Sequence, residues 1–304
     1  PIPAAPAIMA GAVRHNGRTT MSIRNILVPV RGDGKGELVL NAAVALAKKF
    51  DAHIDVVHAR MGSQDMLAYG ATLAGVRDVV NEIAETHAAD EEARVKKLYL
   101  DYCQRHGIAD ITEPRNGEKG VSASWHEEKG RQANVVARRG RLTDIIFVAQ
   151  PDGQLGVNTF EAALMETGKP VICVPPRDIK EIGNKIAIAW NGSAEISAAV
   201  TLSRPIVEAA AKLLILSAPE THGDELPASD LAKYLRWHGQ QSEIQMLDCD
   251  PQEVGQTLLK ACADNAIDLL LMGGYAHARR HDFKIGGVTQ YVVEKAEIPV
   301  LFHH

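Results

Sequence analysis

The feature of this sequence that most limits its possible folds is an internal repeat. Three short apolar runs occur in the same order in each half of the chain, and the last of them begins with a proline in both halves. The runs are residues 26–30, 143–148 and 170–174 in the first half and residues 186–190, 267–272 and 299–303 in the second half. Self-similarity on this scale indicates two copies of one structural unit.

The two copies differ in length. Ile26 and Ile186 are 160 positions apart, whereas Asp144 and Asp268 are 124 positions apart, so the first half has 36 extra residues before its fourth strand. We expect these residues within 61–107, where Val79, Val80 and Ile83 have helical spacing. Their role is left open by the sequence.

The apolar runs are nearly continuous, which is typical of parallel strands that are buried on both faces. Helical patterns lie between them, and Pro205 is expected to kink or split one helix. A helix is also predicted to begin near Trp125. The predicted strands are residues 24–30, 53–58, 110–114, 143–148 and 170–174, followed by 184–190, 211–217, 242–247, 267–272 and 298–303.

Alternating strands and helices predict an α/β fold with two tandem, open, parallel-sheet domains. Each domain is Rossmann-like, with five strands and helices on both faces. We expect domains at residues 21–176 and 184–304, joined by a linker at 177–183. Residues 1–20, rich in Ala, Pro and Gly, are interpreted as an upstream or vector-derived extension.

Composition excludes several classes of function. The formal net charge of -5 argues against a broad nucleic-acid surface. No apolar run approaches the ~20 residues of a membrane-spanning helix, so no membrane partner is expected. The four cysteines form no C-x-x-C pair, which fits a reducing, cytoplasmic compartment, and Cys173 is predicted to be a small buried apolar residue.

Three segments together resemble the universal stress protein family in its tandem form. The turn Asn191-Gly192-Ser193 after a strand is similar to the family's first turn, and residues 273–289 are similar to its nucleotide loop. The final Pro-Val strand completes the pattern. The resemblance implies that the two halves pack as an intramolecular pseudo-dimer through their terminal strands, and it leaves a further homodimer open.

The resemblance also implies a nucleotide site in the second half. Ala189, Trp190 and Asn191 would lie on its adenine and ribose side, Ala218 against the base, and Met272 along its wall, although core packing is an equal alternative for Ala218 and Met272. The loop and the following helix would hold the phosphates through Gly273, Ala276, Arg279, Gly286, Gly287, Val288 and Thr289.

The loop departs from the family pattern at two positions. Ala276 replaces a glycine, and its Cβ can obstruct close approach to a phosphate. Gly287 replaces Ser or Thr and removes a hydrogen bond worth about 1 kcal/mol. Arg279 is either a phosphate ligand or a solvated loop charge.

The first half lacks this loop, because Gln150 and Pro151 follow its fourth strand and no G-x-x-G occurs there. We therefore expect no ATP in the first half. Gly32, Gly34 and Gly36 are interpreted as a flexible turn, since their spacing fits no phosphate-binding motif.

These observations favour a stress-response protein that binds ATP or a related nucleotide, with Mg²⁺ accompanying it, as a regulatory ligand. One alternative is a universal stress protein that does not bind nucleotides and acts through protein partners or another small ligand. A slow ATPase that uses Asp282 is less favoured. We assign no catalytic residue and no metal ligand.

Overall fold

The fold consists of two successive series of strands and helices. The structure is a computed structural model that describes residues 13–15, 18–20, 22–60, 77–114, 119–153, 156–218, 226–274 and 287–304. A separate antiparallel hairpin, β1 (Val13–His15) and β2 (Arg18–Thr20), precedes both series.

The first series begins with Asn25. Its elements are β3 (Asn25–Val30), α1 (Gly36–Phe50), β4 (His53–Arg60), α2 (Arg77–His106), β5 (Ala109–Asp110), β6 (Ser122–Lys129), α3 (Gln132–Arg139), a 3₁₀ turn (Gly140–Leu142), β7 (Ile145–Ala149), α4 (Val157–Glu166) and β8 (Val171–Val174).

The second series begins with Lys185. Its elements are β9 (Lys185–Trp190), α5 (Ala194–Leu202), α6 (Arg204–Glu208), β10 (Lys212–Ser217), α7 (Ala228–Trp237), β11 (Glu243–Met246), α8 (Val254–Asp264), β12 (Leu269–Gly273), α9 (Gly287–Lys295) and β13 (Val300–His303).

Within the described residues, both series contribute to one sheet of eleven strands, in the order β11-β10-β9-β12-β13-β8-β7-β3-β4-β6-β5. All neighbours are parallel except β13 and β8, which pair antiparallel with Leu301 opposite Ile172. The expected α/β fold and the pairing of terminal strands are confirmed. However, the two predicted sheets are joined into one, and the first half contributes six strands because the short β5 extends its edge.

Each face of this sheet is covered by a core that includes residues of both halves. Ile26 and Val28 pack into one core cluster, whereas Leu27 between them packs into the other. The side chains of a strand alternate between faces, so a continuous apolar run is what a sheet covered on both sides requires. Cys173 lies in one of these cores, and burial raises the pKa of its thiol to about 12.

The third strand of the first half was predicted wrongly. Residues 109–110 form only a two-residue strand, and the main third strand is β6, where we expected a helix to begin near Trp125. β6 pairs with β4 along all eight of its residues. These backbone hydrogen bonds, rather than an apolar run, determine its conformation.

Two other expectations concern helices. The chain breaks between α5 and α6, where Pro205 lies in the first turn of α6, as predicted. The extra length of the first half lies between β4 and β6, and α2 has 30 residues where α7 has 10. Residues 61–76 of that insertion lie outside the described residues.

The expected linker at 177–183 is packed against the protein, since Ile182 is fully buried and belongs to a core cluster. None of the helices in the described parts of the chain is long and apolar enough to cross a membrane.

Candidate functional site

The candidate site lies at the carboxyl ends of β9 and β12. From β9 the chain passes to β10 on one side and later returns to place β12 on the other side. The crossover connections that leave β9 and β12 therefore run in opposite directions, which makes the space between the ends of these two strands a switch point of the sheet. Ligands of open α/β sheets bind in the crevice at such a switch point.

The turn after β9 is held by its own side chains. The side chain of Asn191 accepts a hydrogen bond from the backbone N–H of Ser193 at 3.1 Å. Ser193 caps α5 by accepting one from the N–H of Ile196 at 3.5 Å. Asn191 is exposed, so its amide nitrogen can still donate to a ligand at the end of β9.

Gly273 at the end of β12 permits close packing of α5. A Cβ at this position would lie 3.0 Å from Cβ of Glu195 and 3.1 Å from the backbone nitrogen of Ile196. A side chain here would therefore push the start of α5 away from the sheet. Gly273, the first glycine of the loop that resembles the family's nucleotide loop, thus has a structural function: it lets α5 pack closely against β12.

Two of the expected site residues have their side chains in the core clusters. Trp190 is buried, and its indole N–H donates to the backbone oxygen of Leu226 at 2.7 Å. Met272 is buried in the core on the other face. Ala189 and Ala218 are half-buried at the ends of β9 and β10.

The start of α9 supplies the remaining described positions. Gly287 is exposed, Val288 is half-buried and Thr289 is buried within the first turn. No described atom lies within 4 Å of the place where a Cβ on Gly287 would be. Ala276, Arg279 and Gly286 lie outside the described residues.

The start of α9 has the backbone features that attract an anion. The first N–H groups of a helix have no partner within the helix, and the helix dipole attracts an anion to them. Gly287 leaves these N–H groups unobstructed by a side chain of its own. Among the described residues, no group of three or more His, Cys, Asp or Glu side chains could hold a metal ion.

A second crevice, which no sequence motif indicated, lies in the first half. A cavity of about 180 Å³ lies at the ends of β3 and β7, and its polar lining consists of Arg31, Lys35, Asp33, Asp152, Gln132, Gln150 and Thr159. The internal repeat could have revealed it, because Arg31 follows β3 at the position where Asn191 follows β9, 160 residues later.

The fold is that of an α/β protein with a mostly parallel sheet and a switch point between β9 and β12. The model of the universal stress protein family matches residues 189–304. A universal stress protein of Synechocystis, Slr1230, is 32% identical over 171 residues, which are 55% of this chain and 56% of the relative. The match thus spans little more than half of the relative's length.

Solved structures extend the likeness to both halves. A universal stress protein from Archaeoglobus fulgidus has a TM-score of 0.65 at 13% identity, covering 93% of this chain and 96% of its own. A putative universal stress protein from Pseudomonas aeruginosa has a TM-score of 0.52 at 17% identity, covering 92% and 93%. Residues 189–304 are therefore similar to the universal stress protein family, and the two halves together have the fold of these two solved structures.

Proposed function

We propose that this chain is a regulatory protein whose second half binds ATP or a related nucleotide, with Mg²⁺ accompanying the phosphates. The observation that carries the proposal is the start of α9, which follows β12 in the chain: no atom of the described residues lies within 4 Å of the place where a Cβ on Gly287 would be. The phosphates would accept hydrogen bonds from the N–H groups of Gly287, Val288 and Thr289. Asn191 would donate to the base or the ribose.

Residues 275–286 link β12 to α9 in the chain, and we propose Ala276, Arg279 and Gly286 of this link as further phosphate contacts. Binding of the nucleotide would be read by protein partners. We propose the cytoplasm as the compartment, because Cys103, Cys173, Cys249 and Cys262 are all free thiols.

A second candidate is a universal stress protein that does not bind nucleotides. It is favoured by the positions of Trp190 and Met272, whose buried side chains contribute packing to the cores rather than contacts to a base. The hydrogen bond of Asn191 to its own turn also reduces what Asn191 offers to adenine.

Substitution of Gly287 distinguishes the two candidates. Gly287→Ser adds a hydroxyl where no described atom obstructs its Cβ, and one added hydrogen bond of about 1 kcal/mol corresponds to roughly fivefold tighter ATP binding. Gly287→Ala is the matched control, because it adds the same Cβ without the hydroxyl and should bind ATP about as wild type does. Titration calorimetry with Mg-ATP measures all three proteins.

Two outcomes would contradict the nucleotide proposal. One is the absence of ATP binding up to millimolar concentration in all three proteins, which would favour the second candidate. The other is equal affinity of the Ser and Ala variants, which would place the phosphates away from Gly287.

A further inference from the structure

The first-half cavity has a different chemical character from the second-half crevice. Corresponding positions of the repeat carry Arg31 in the first half and Asn191 in the second. A guanidinium therefore occupies the end of β3, where the second half has a neutral amide. Thr159 and Thr289 are each the third residue of the helix that follows, α4 and α9, and both are buried.

Arg31 carries a positive charge that is only weakly compensated. Its guanidinium donates hydrogen bonds to the side-chain oxygens of Gln132 and Thr159, which are both neutral. Among the described residues, no carboxylate forms an ion pair with it. Burial lowers the pKa of Arg31, and the nearby charge of Asp33 offsets this effect only in part.

A guanidinium has five N–H donors. Its hydrogen bonds to Gln132 and Thr159 fix its orientation at the cavity wall and leave further donors available. A half-buried cation oriented by neutral partners is well arranged to bind an oxyanion. The attraction of the anion would offset the hydration free energy that the cation loses on burial.

Lys35 is the second cation that lines the cavity, and it already interacts with two acidic side chains. Its ammonium lies 3.6 Å from a carboxylate oxygen of Asp152, whose side chain is 77% exposed. Asp33 accepts the backbone N–H of Lys35 at 3.0 Å. Asp152 thus competes for Lys35 with any anion that enters the cavity, while its own exposure makes this ion pair weak.

The size of the cavity restricts the ligand. A volume of about 180 Å³ is below the range of about 300–1,000 Å³ typical of pockets for drug-sized ligands. Pro151 has no N–H to offer to a chain of phosphates. A whole nucleotide therefore does not match this cavity, whereas a small anion does.

We propose that the first half binds a small oxyanion, namely inorganic phosphate or the phosphate or carboxylate group of a small metabolite, through Arg31 and Lys35 in the cavity between β3, β7 and α4. The two halves of the chain would then recognise different ligands with the same fold. Gly156, the N-cap residue of α4, lines the cavity as well, so the dipole of α4 adds to the attraction of an anion.

The test compares two variants that should change affinity in opposite directions. Arg31→Gln removes the oriented cation and should weaken binding about tenfold or more. Asp152→Asn removes the competitor of Lys35 and should tighten binding about twofold to fivefold. Arg177→Gln is the control, because Arg177 is an exposed arginine paired with Glu297 and does not line the cavity.

Full-length protein is titrated with inorganic phosphate, glycerol 3-phosphate and succinate, and binding is followed by calorimetry. If inorganic phosphate and glycerol 3-phosphate bind saturably and succinate does not, the cavity is a phosphate site. If succinate also binds saturably, the cavity accepts carboxylates as well. Tighter binding by Asp152→Asn cannot result from misfolding, so the proposal stays testable if Arg31→Gln is unstable.

Three results would overturn the proposal. The first is no saturable binding of any of the three probes in the millimolar range. The second is binding that neither Arg31→Gln nor Asp152→Asn changes, because the anion would then lie elsewhere. The third is displacement of bound phosphate by ATP in wild type but not in Arg31→Gln, which would make the cavity a nucleotide site.

Discussion

At the scale of single residues, His53 shows how a neutral imidazole is stabilised in this sheet. Its two ring nitrogens lie 2.9 Å from the hydroxyl oxygens of Ser122 and Ser124, at the beginning of the neighbouring strand β6. A neutral imidazole accepts at one nitrogen and donates at the other, which two hydroxyls can satisfy together. Burial lowers the pKa of His53 from 6.5, an effect that Asp55 opposes and His126 reinforces.

This lowered pKa predicts sensitivity to acid. Because the folded state binds a proton at His53 less readily than the unfolded state does, stability is fully present above the unfolded pKa of about 6.5 and is lost as the pH falls toward the folded pKa. The free energy of unfolding in urea should decrease from pH 7.5 to pH 5.5. In His53→Gln, which keeps a donor and an acceptor, the decrease should be smaller. An equally steep decrease in the variant would refute this role.

At the scale of elements, one aspartate in each half joins the beginnings of two strands. Asp144, before β7, accepts the backbone N–H groups of Arg24 and Asn25 at 2.6 and 2.9 Å. Asp268, before β12, accepts those of Asn184 and Lys185 at 2.9 and 3.0 Å. The same contact thus fixes the position of the central strand against its neighbour in both halves.

Removal of this carboxylate should destabilise the protein. Asp268→Ala leaves two backbone N–H groups without their charged partner, and we expect a loss of about 1–3 kcal/mol in the free energy of unfolding. Asp144→Ala should have a similar effect, whereas Asp264→Ala, at the exposed end of α8, should stay within about 0.5 kcal/mol of wild type. Urea denaturation followed by circular dichroism measures this. An effect at Asp268 no larger than that at Asp264 would contradict the assignment.

The elements also show what the sequence could and could not predict. Strands with continuous apolar runs, such as β3 and β12, were predicted to within a few residues because burial on both faces determines their composition. β6 was missed because its sequence is mostly polar and its conformation depends on pairing with β4, a contact between residues distant in the chain.

The candidate site was predictable in its backbone positions but not in its side-chain directions. The strand ends at Asn191 and Gly273 follow from the repeat and the resemblance. That Trp190 and Met272 turn into opposite cores depends on the register of the whole sheet. The cavity beside Arg31 matches no known binding motif, since its lining comes from β3, α1, α3, β7 and α4, which are brought together only by folding.

At the scale of the whole molecule, the antiparallel pairing of β8 with β13 is the junction that joins the two repeats into one sheet. Phe160 of the first half and Phe302 of the second pack edge to face, with ring centroids 5.4 Å apart. The side chain of Gln150 donates to the backbone oxygen of Val293 in α9 at 2.5 Å. Core clusters on both faces of the sheet continue across this junction, so neither half has a complete core of its own.

Such continuity predicts that the two halves unfold together. Phe302→Ala should lower the free energy of unfolding by about 3–5 kcal/mol, because it leaves a cavity at the junction and removes the aromatic pair.

Two spectroscopic probes separate the halves. Trp125 is the tryptophan of the first half, so in a Trp125→Phe background fluorescence reports only Trp190 and Trp237 of the second half, while circular dichroism reports the whole chain. In urea, both signals should follow one transition, and Phe302→Ala should shift their midpoints equally. If the fluorescence transition alone moved to lower urea, the second half would be unfolding independently and the junction would not couple the repeats.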